Sequence, residues 1–220
     1  MRIRIEDEVE DVVAKAQSGL GMADGELAEL SGVPRENIRR LRKGEFDAAT
    51  ARGIAKQLKL APEALVALGE HRWYPDDIEL DGLAMFNTPH PVPGYEEMTV
   101  NAYLVWDPLS GEVAAFDTGA NADGMIEALQ SKPWKLTHIF LTHTHRDHVA
   151  DLDKLKKVLQ PGGSIHVHSK ENITAAKTLV DGQTFQVGAL EIVARETSGH
   201  SPGGTTYVIH GLQRPVAIVG

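Results

Sequence analysis

The 220-residue sequence contains no cysteine. That excludes disulfides, a thiolate nucleophile and every zinc site built on sulfur, so a transition metal here must be held by histidine and carboxylate. No apolar run approaches the roughly 18 residues that cross a bilayer. The opening MRIRIEDEVEDVVAKAQ is charged throughout and lacks an apolar secretion core, so the chain reads as cytoplasmic with no membrane partner. An excess of basic charge is missing too. The formal net charge is −9, which argues against non-specific adhesion to nucleic acid and leaves only a local basic face for that role. There is no internal repeat, no low-complexity tract and no Gly-x-Ser-x-Gly elbow for a serine nucleophile. What remains is globular in character: 42% hydrophobic and 24% charged residues, enough chain for one sizeable domain and one small one.

Two textures divide the chain. Residues 1–70 read as five short helices. DEVEDVVAKAQ spaces Val9, Val12, Val13 and Ala16 helically, and ADGELAELSGV ends near Gly32. PRENIRRLRKG opens at Pro34 and closes at Gly44, and AATARGIAKQLKL and APEALVALG follow. Residues 71–82, HRWYPDDIELDG, read as a linker. Residues 83–220 then alternate strands and helices, giving an α/β or α+β unit. TVNAYLVWD and GEVAAFDTG flank the hairpin signal PLSG, NADGMIEALQ is helical and KLTHIFLTH is a buried strand. DHVADLDKLKKVLQ predicts one helix with Val149, Leu152, Leu155, Val158 and Leu159 on one side, its acids early and its lysines late as the helix dipole favours. GSIHVHS, QTFQVGALEIVARET and TTYVIHG add strands.

The chemistry concentrates in THTHRDH, which sets His143, His145, Asp147 and His148 directly after the apolar Ile139-Phe140-Leu141. On an extended segment 143, 145 and 147 point one way, while 148 begins the next helix. Imidazole nitrogen and carboxylate oxygen suit zinc at about 2.0–2.2 Å, and two such ions can activate one water between them. Two histidines at i, i+2 carry little information. Three histidines and an aspartate in this order after a buried strand carry much more. His71, His90, His138, His166, His168 and His210 read as structural or solvent-facing, with His166 and His168 partly exposed on one side of a strand.

THTHRDH resembles the H-x-H-x-D-H signature of the metallo-β-lactamase fold hydrolases, and VNAYLV, AAFDTGA and TSGHSPGGTTYVI resemble further segments of that family in its order. The last is similar to glyoxalase II-like members. The resemblance implies an αββα sandwich, of which residues 83–220 supply the first half and a little more. It implies His143, His145 and His200 as ligands of a first metal, and Asp147 with His148 at a second. Asp147 also orients the attacking water, and Asp117 fixes ligand orientation from outside. The implied cofactor is one or two zinc ions, with iron or manganese as substitutes. The implied reaction is attack of a metal-activated water on a thioester, ester or lactam-like small molecule, as in hydroxyacylglutathione hydrolases. The family's bridging aspartate and later histidine would follow Gly220. The resemblance therefore implies a chain truncated at its C-terminus, with a weak second site and little activity in residues 1–220 alone. The loop FNTPHPVPGYEEM, residues 86–98 with Phe86 and Tyr95, reads either as the lining of the entrance or as a plain surface loop.

Residues 25–68 resemble a Cro/XRE-type helix-turn-helix, with RENIRRLRKGE as the recognition helix. Arg35, Arg39, Arg40, Arg42 and Lys43 would then meet DNA. Residues 1–70 hold 11 Lys and Arg against 13 Asp and Glu, a balance that favours instead a helical bundle making homodimer contacts. The competing function class is a DNA-binding regulator whose metallo-hydrolase-like half senses a ligand.

Overall fold

The computed structural model describes residues 7–76, 78–94 and 96–220. The chain divides into two compact units, Met1–Ile78 and Glu79–Gly220, with the boundary inside the expected linker.

Among the described residues the first unit holds five helices: α1 Val9–Leu20, α2 Asp24–Ser31, α3 Arg35–Leu41, α4 Ala48–Ala55 and α5 Pro62–Gly69. Their apolar faces meet in one core containing Val13, Leu27, Ile38, Leu41, Ile54, Leu65 and Val66. At the start of α4 the Asp47 carboxylate accepts the Thr50 amide at 2.7 Å, satisfying one of the orphan donors of the first turn. Gly32 ends α2 at φ +71°, a left-handed conformation that reverses the chain before α3. Pro34 is the N-cap of α3 rather than a member of its first turn. That helix ends at Leu41 with Arg42 as C-cap, so Gly44 closes the following turn and not the helix.

The second unit opens with a strand where the sequence suggested a loop: β1 Leu83–Pro89. It pairs antiparallel with β2 Thr99–Trp106, which pairs antiparallel with β3 Glu112–Phe116. From there the sheet turns parallel, through β4 Lys135–Phe140, β5 Ser164–His168 and β6 Lys177–Leu179, in the order β1-β2-β3-β4-β5-β6. Helix α6 Asp123–Gln130 makes the β3-to-β4 crossover. The β4-to-β5 crossover holds two short helices, α7 Arg146–Val149 and α8 Leu152–Lys156. The single helix expected over this stretch is thus broken at Ala150 and Asp151. Thr118 and Ala122 bind the break: the Asp151 amide donates to Thr118 Oγ1 and its carboxylate accepts the Ala122 amide. An antiparallel second sheet follows, made of β7 Thr184–Val187, β8 Leu190–Glu196, β9 Thr205–His210 and β10 Val216–Ile218 in the order β10-β9-β8-β7.

Strand alternation explains the layering. Val113 and Ala115 face the helices with Met125, Leu129, Leu152 and Leu155. Ala114 and Phe116 face the second sheet with Ile192, Tyr207 and Ile209. The unit is therefore helices, six-stranded sheet and four-stranded sheet in three layers. Phe86 packs on the helix-side core, so it belongs to a strand face and not to an entrance loop; Tyr95 lies outside the described residues.

His166 and His168 are buried, at 5% and 4% exposure, against the expectation of partial exposure. His166 stacks on Phe140 at 5.0 Å and His138 at 5.3 Å, and meets Phe185 edge-on at 4.6 Å. Its Nε2 has no hydrogen-bond partner among the described residues. Burial pushes its pKa down to about 4, with help from His138 and Lys177. Above about pH 6.5 both folded and unfolded chains hold this ring neutral. As pH falls, the unfolded chain takes the proton first, so stability drops between about 6.5 and 4 and the contribution is gone below that. His166→Phe is expected to remove up to about 3 kcal/mol of this pH dependence. Urea midpoints at pH 7, 5.5 and 4.5 read it: the wild-type midpoint should drop relative to the variant's as pH falls. Parallel curves would show that the ring does not titrate this way.

Candidate metal centre

The site forms where the parallel strands end. Asp117 follows β3, Thr142 and His143 follow β4 by two and three residues, and Glu171 follows β5. Open α/β sheets place binding groups at this edge because loops leave neighbouring parallel strands there side by side. His200 arrives from the other sheet, in the β8-to-β9 connection.

His143, His145 and His200 converge. One nitrogen from each lies within 4.8 Å of the others. The ring centroids are 4.6 Å apart for 143–145, 4.8 Å for 143–200 and 4.6 Å for 145–200. His200 Nε2 stands 2.8 Å from His145 Nδ1, so one ring donates to the other. His143 is buried, whereas His145 and His200 are exposed, leaving one side open to a small molecule. Three imidazoles with an open position are the donor set of a catalytic zinc site, and the residues present fit such an ion.

His148 joins from α7, its ring centroid 4.0 Å from that of His143. Its Nε2 lies 3.6 Å from Asp147 Oδ2. Asp147 reaches this place from the first turn of α7, not from an extended segment, because the helix begins at Arg146, earlier than expected.

Asp117 organises the rest. It sits buried at φ +57°, a left-handed conformation that aspartate tolerates better than most residues. Its Oδ1 accepts the Thr142 amide at 2.7 Å. Its Oδ2 accepts the Thr142 hydroxyl at 2.7 Å and His148 Nδ1–H at 2.8 Å. The Thr142 hydroxyl has one proton, and the carboxylate takes it. Its oxygen, 3.0 Å from His143 Nδ1, therefore accepts from that ring. One carboxylate thus assigns both tautomers: His143 and His148 carry their protons on Nδ1 and present lone pairs at Nε2. Thr118 adds a second tie, donating its amide to the His148 carbonyl at 2.9 Å.

Residues 95–220 match the family described as the metallo-beta-lactamase superfamily. The chain belongs to this superfamily. Its curated relatives include a hydroxyacylglutathione hydrolase of Rhodopseudomonas palustris strain HaA2, 36% identical over 48% of this chain and 42% of the relative. Another, from Rhizobium etli, is 39% identical over 47% of this chain and 41% of the relative. The chain thus spans about two fifths of the length of the curated relatives it matches. Among solved structures, a metallo-beta-lactamase from Staphylococcus aureus subsp. aureus COL is 20% identical with a TM-score of 0.47, covering 62% of this chain and 43% of that one.

All six residues singled out in this superfamily unit stand at this one edge. Sequence reading missed Thr142, Thr118 and Glu171. Thr142 had a signal, since it directly precedes His143 and follows the buried strand. Glu171 had none, because it lies 23 positions after His148 in a plain connection.

Proposed function

We propose that the Glu79–Gly220 unit is the metal-binding part of a hydrolase that cleaves a thioester, ester or lactam-like bond, thioester foremost. The observation that carries this reading is the convergence of three imidazoles from two distant loops, one side open. The curated relatives named hydroxyacylglutathione hydrolase favour a thioester. His143, His145 and His200 would hold the first ion, zinc by default with iron or manganese compatible with the same donors. His148 and Asp147 would contribute to a second. A bound ion of this kind supplies a water that is nucleophilic near neutral pH and polarises a carbonyl. The chain's own groups orient the ligands: Asp117 holds His148 and Thr142, and Thr142 holds His143. Asp147, whose Oδ2 lies 3.6 Å from His148 Nε2, would orient the attacking water. No cysteine exists to serve as nucleophile, and no serine elbow is present.

A substrate panel tests the reading. The protein, loaded with zinc, should hydrolyse glutathione thioesters faster than simple esters and lactams. Absence of turnover on all three classes, with zinc bound, would reject it.

A second reading concerns the helical unit. Arg35, Arg39, Arg40, Arg42 and Lys43 are all exposed on α3 and the turn after it. This supports DNA binding. Against it, Arg42 pairs with Asp24 at 3.1 Å, Arg39 approaches the same carboxylate at 4.0 Å, and Arg40 pairs with Glu45 at 2.7 Å, so much of the charge is answered internally. A gel shift at low salt should show binding that weakens as salt rises. No shift at low salt would leave the unit as a docking or dimer element.

A further inference from the structure

Glu171 lies in the connection after β5, and its carboxylate divides between the two loops that carry the three histidines. Oε2 accepts the hydroxyl of Thr144, the residue between His143 and His145. Oε1 accepts the hydroxyl of Ser201, next to His200, and the amide of Gly203 at 2.8 Å. The side chain is half-buried, and Ser201 and Gly203 are buried. Gly203 is shaped to this contact. A Cβ there would stand 2.6 Å from Glu171 Cγ, 3.0 Å from its Oε1 and 3.1 Å from His168 Nδ1, so the position admits no side chain without displacing the carboxylate. Burial pushes the Glu171 carboxyl up, but hydrogen bonds from Ser201, Thr144 and Gly203 outweigh it and hold it below the usual range.

The two loops belong to different sheets: one follows β4 and the other joins β8 to β9. The spacing of His200 from the 143/145 pair therefore depends on contacts between the loops. Glu171 is a bridge that reaches both, with one oxygen for each.

We propose that Glu171 is a positioning residue for the metal centre, clamping the Thr144 loop to the Ser201–Gly203 loop so that the three imidazoles are held at ligand spacing before any ion arrives. The inference rests on reading those imidazoles as a metal site. Its consequence is preorganisation: without the clamp the loops keep only ties such as Thr205 N–H to Thr142 O, an ion must fix the rest of their spacing, and affinity falls.

Zinc affinity by chelator competition and the visible spectrum of the cobalt(II)-loaded protein test it. Both are read on the full chain at a temperature where circular dichroism shows the metal-free protein folded. Glu171→Ala should bind zinc about 10–100-fold more weakly, with an altered cobalt spectrum. Glu171→Gln should lose less than about fivefold, because its amide can still accept from Ser201 and Gly203 while donating to Thr144. Equal losses in the two variants would place the effect in charge and overturn the clamp. So would an alanine variant with wild-type affinity and an unchanged cobalt spectrum. If Glu171→Ala does not fold, Thr144→Val removes the hydroxyl bond to Oε2 and Ser201→Ala one of the two bonds to Oε1. Each should weaken binding, and wild-type affinity in both would overturn the proposal. Wild-type protein that binds no zinc at all would overturn the metal-site reading together with the clamp. Wild-type binding matched by every variant would overturn the clamp alone.

Discussion

His145→Ala is expected to lower zinc affinity by more than about 100-fold, beyond the 10–100-fold that partners outside the ligand set typically cost, and to abolish hydrolysis. Zinc takes four donors in a tetrahedron, and three protein ligands plus one open position are the minimum that both retains the ion and leaves it reactive. His145 is one of the three converging imidazoles, and its Nδ1 stands 2.8 Å from His200 Nε2. Its removal leaves two imidazoles and withdraws the nearest ring from His200. His145 is exposed, so the fold should survive and the loss should appear in metal content by plasma emission and in turnover, not in melting temperature. His210→Ala, an exposed change at the end of β9, is the matching control and should leave loading and turnover intact. Normal turnover with metal retained in His145→Ala would remove this ring from the ligand set.

Two changes at Asp117 should separate geometry from tautomer. Asp117→Ala removes the acceptor for the Thr142 amide, the Thr142 hydroxyl and His148 Nδ1 at once, in a buried place. It should cost several kcal/mol of stability, at about 1.5–3 kcal/mol for each buried hydrogen bond to a charged acceptor that is lost. A further 1–2 kcal/mol or so comes from forcing alanine into the left-handed conformation. Asp117→Asn keeps the shape and tolerates the backbone. Its carbonyl oxygen can still accept the Thr142 amide, but its NH₂ replaces the acceptor facing Thr142 and His148. His148 must then accept at Nδ1 and carry its proton on Nε2. The Thr142 hydroxyl, no longer bound to donate to the carboxylate, can turn to His143 and move that proton too. Asp117→Asn is therefore expected to fold with modest loss yet bind zinc about 10–100-fold more weakly. Chelator competition measures the second effect and guanidinium unfolding the first. An asparagine variant that loads like the wild type would show that the tautomers are not set here.

The fold and site were legible in the sequence to different depths, for physical reasons. Strands buried on both faces announced themselves as apolar runs, as Ile139-Phe140-Leu141 did. β1 did not, because Asn87, Thr88 and the prolines at 89, 91 and 93 give it the composition of a loop; its partner β2 supplies the pairing. The β4-to-β5 crossover kept a continuous apolar stripe, with Val149, Leu152 and Leu155 in one core, although the backbone breaks at Ala150 and Asp151. Side-chain spacing records which face is buried, not whether the helix is unbroken. Ligand residues were readable because their chemistry is rare and clustered. Glu171 was not, since a lone carboxylate between a strand and a turn looks like any other until two loops fold onto it.

One feature of the sheet sets the pitch of the whole cradle. Asp117, His143 and Glu171 leave consecutive parallel strands, and neighbouring strands are spaced by their backbone hydrogen bonds at about 4.8 Å. The main chain is thus a ruler whose graduations are close to the distance between groups that serve one cation. Surface loops beyond those strand ends can change length and composition to suit a new substrate while that ruler, buried between helices and a second sheet, stays the same.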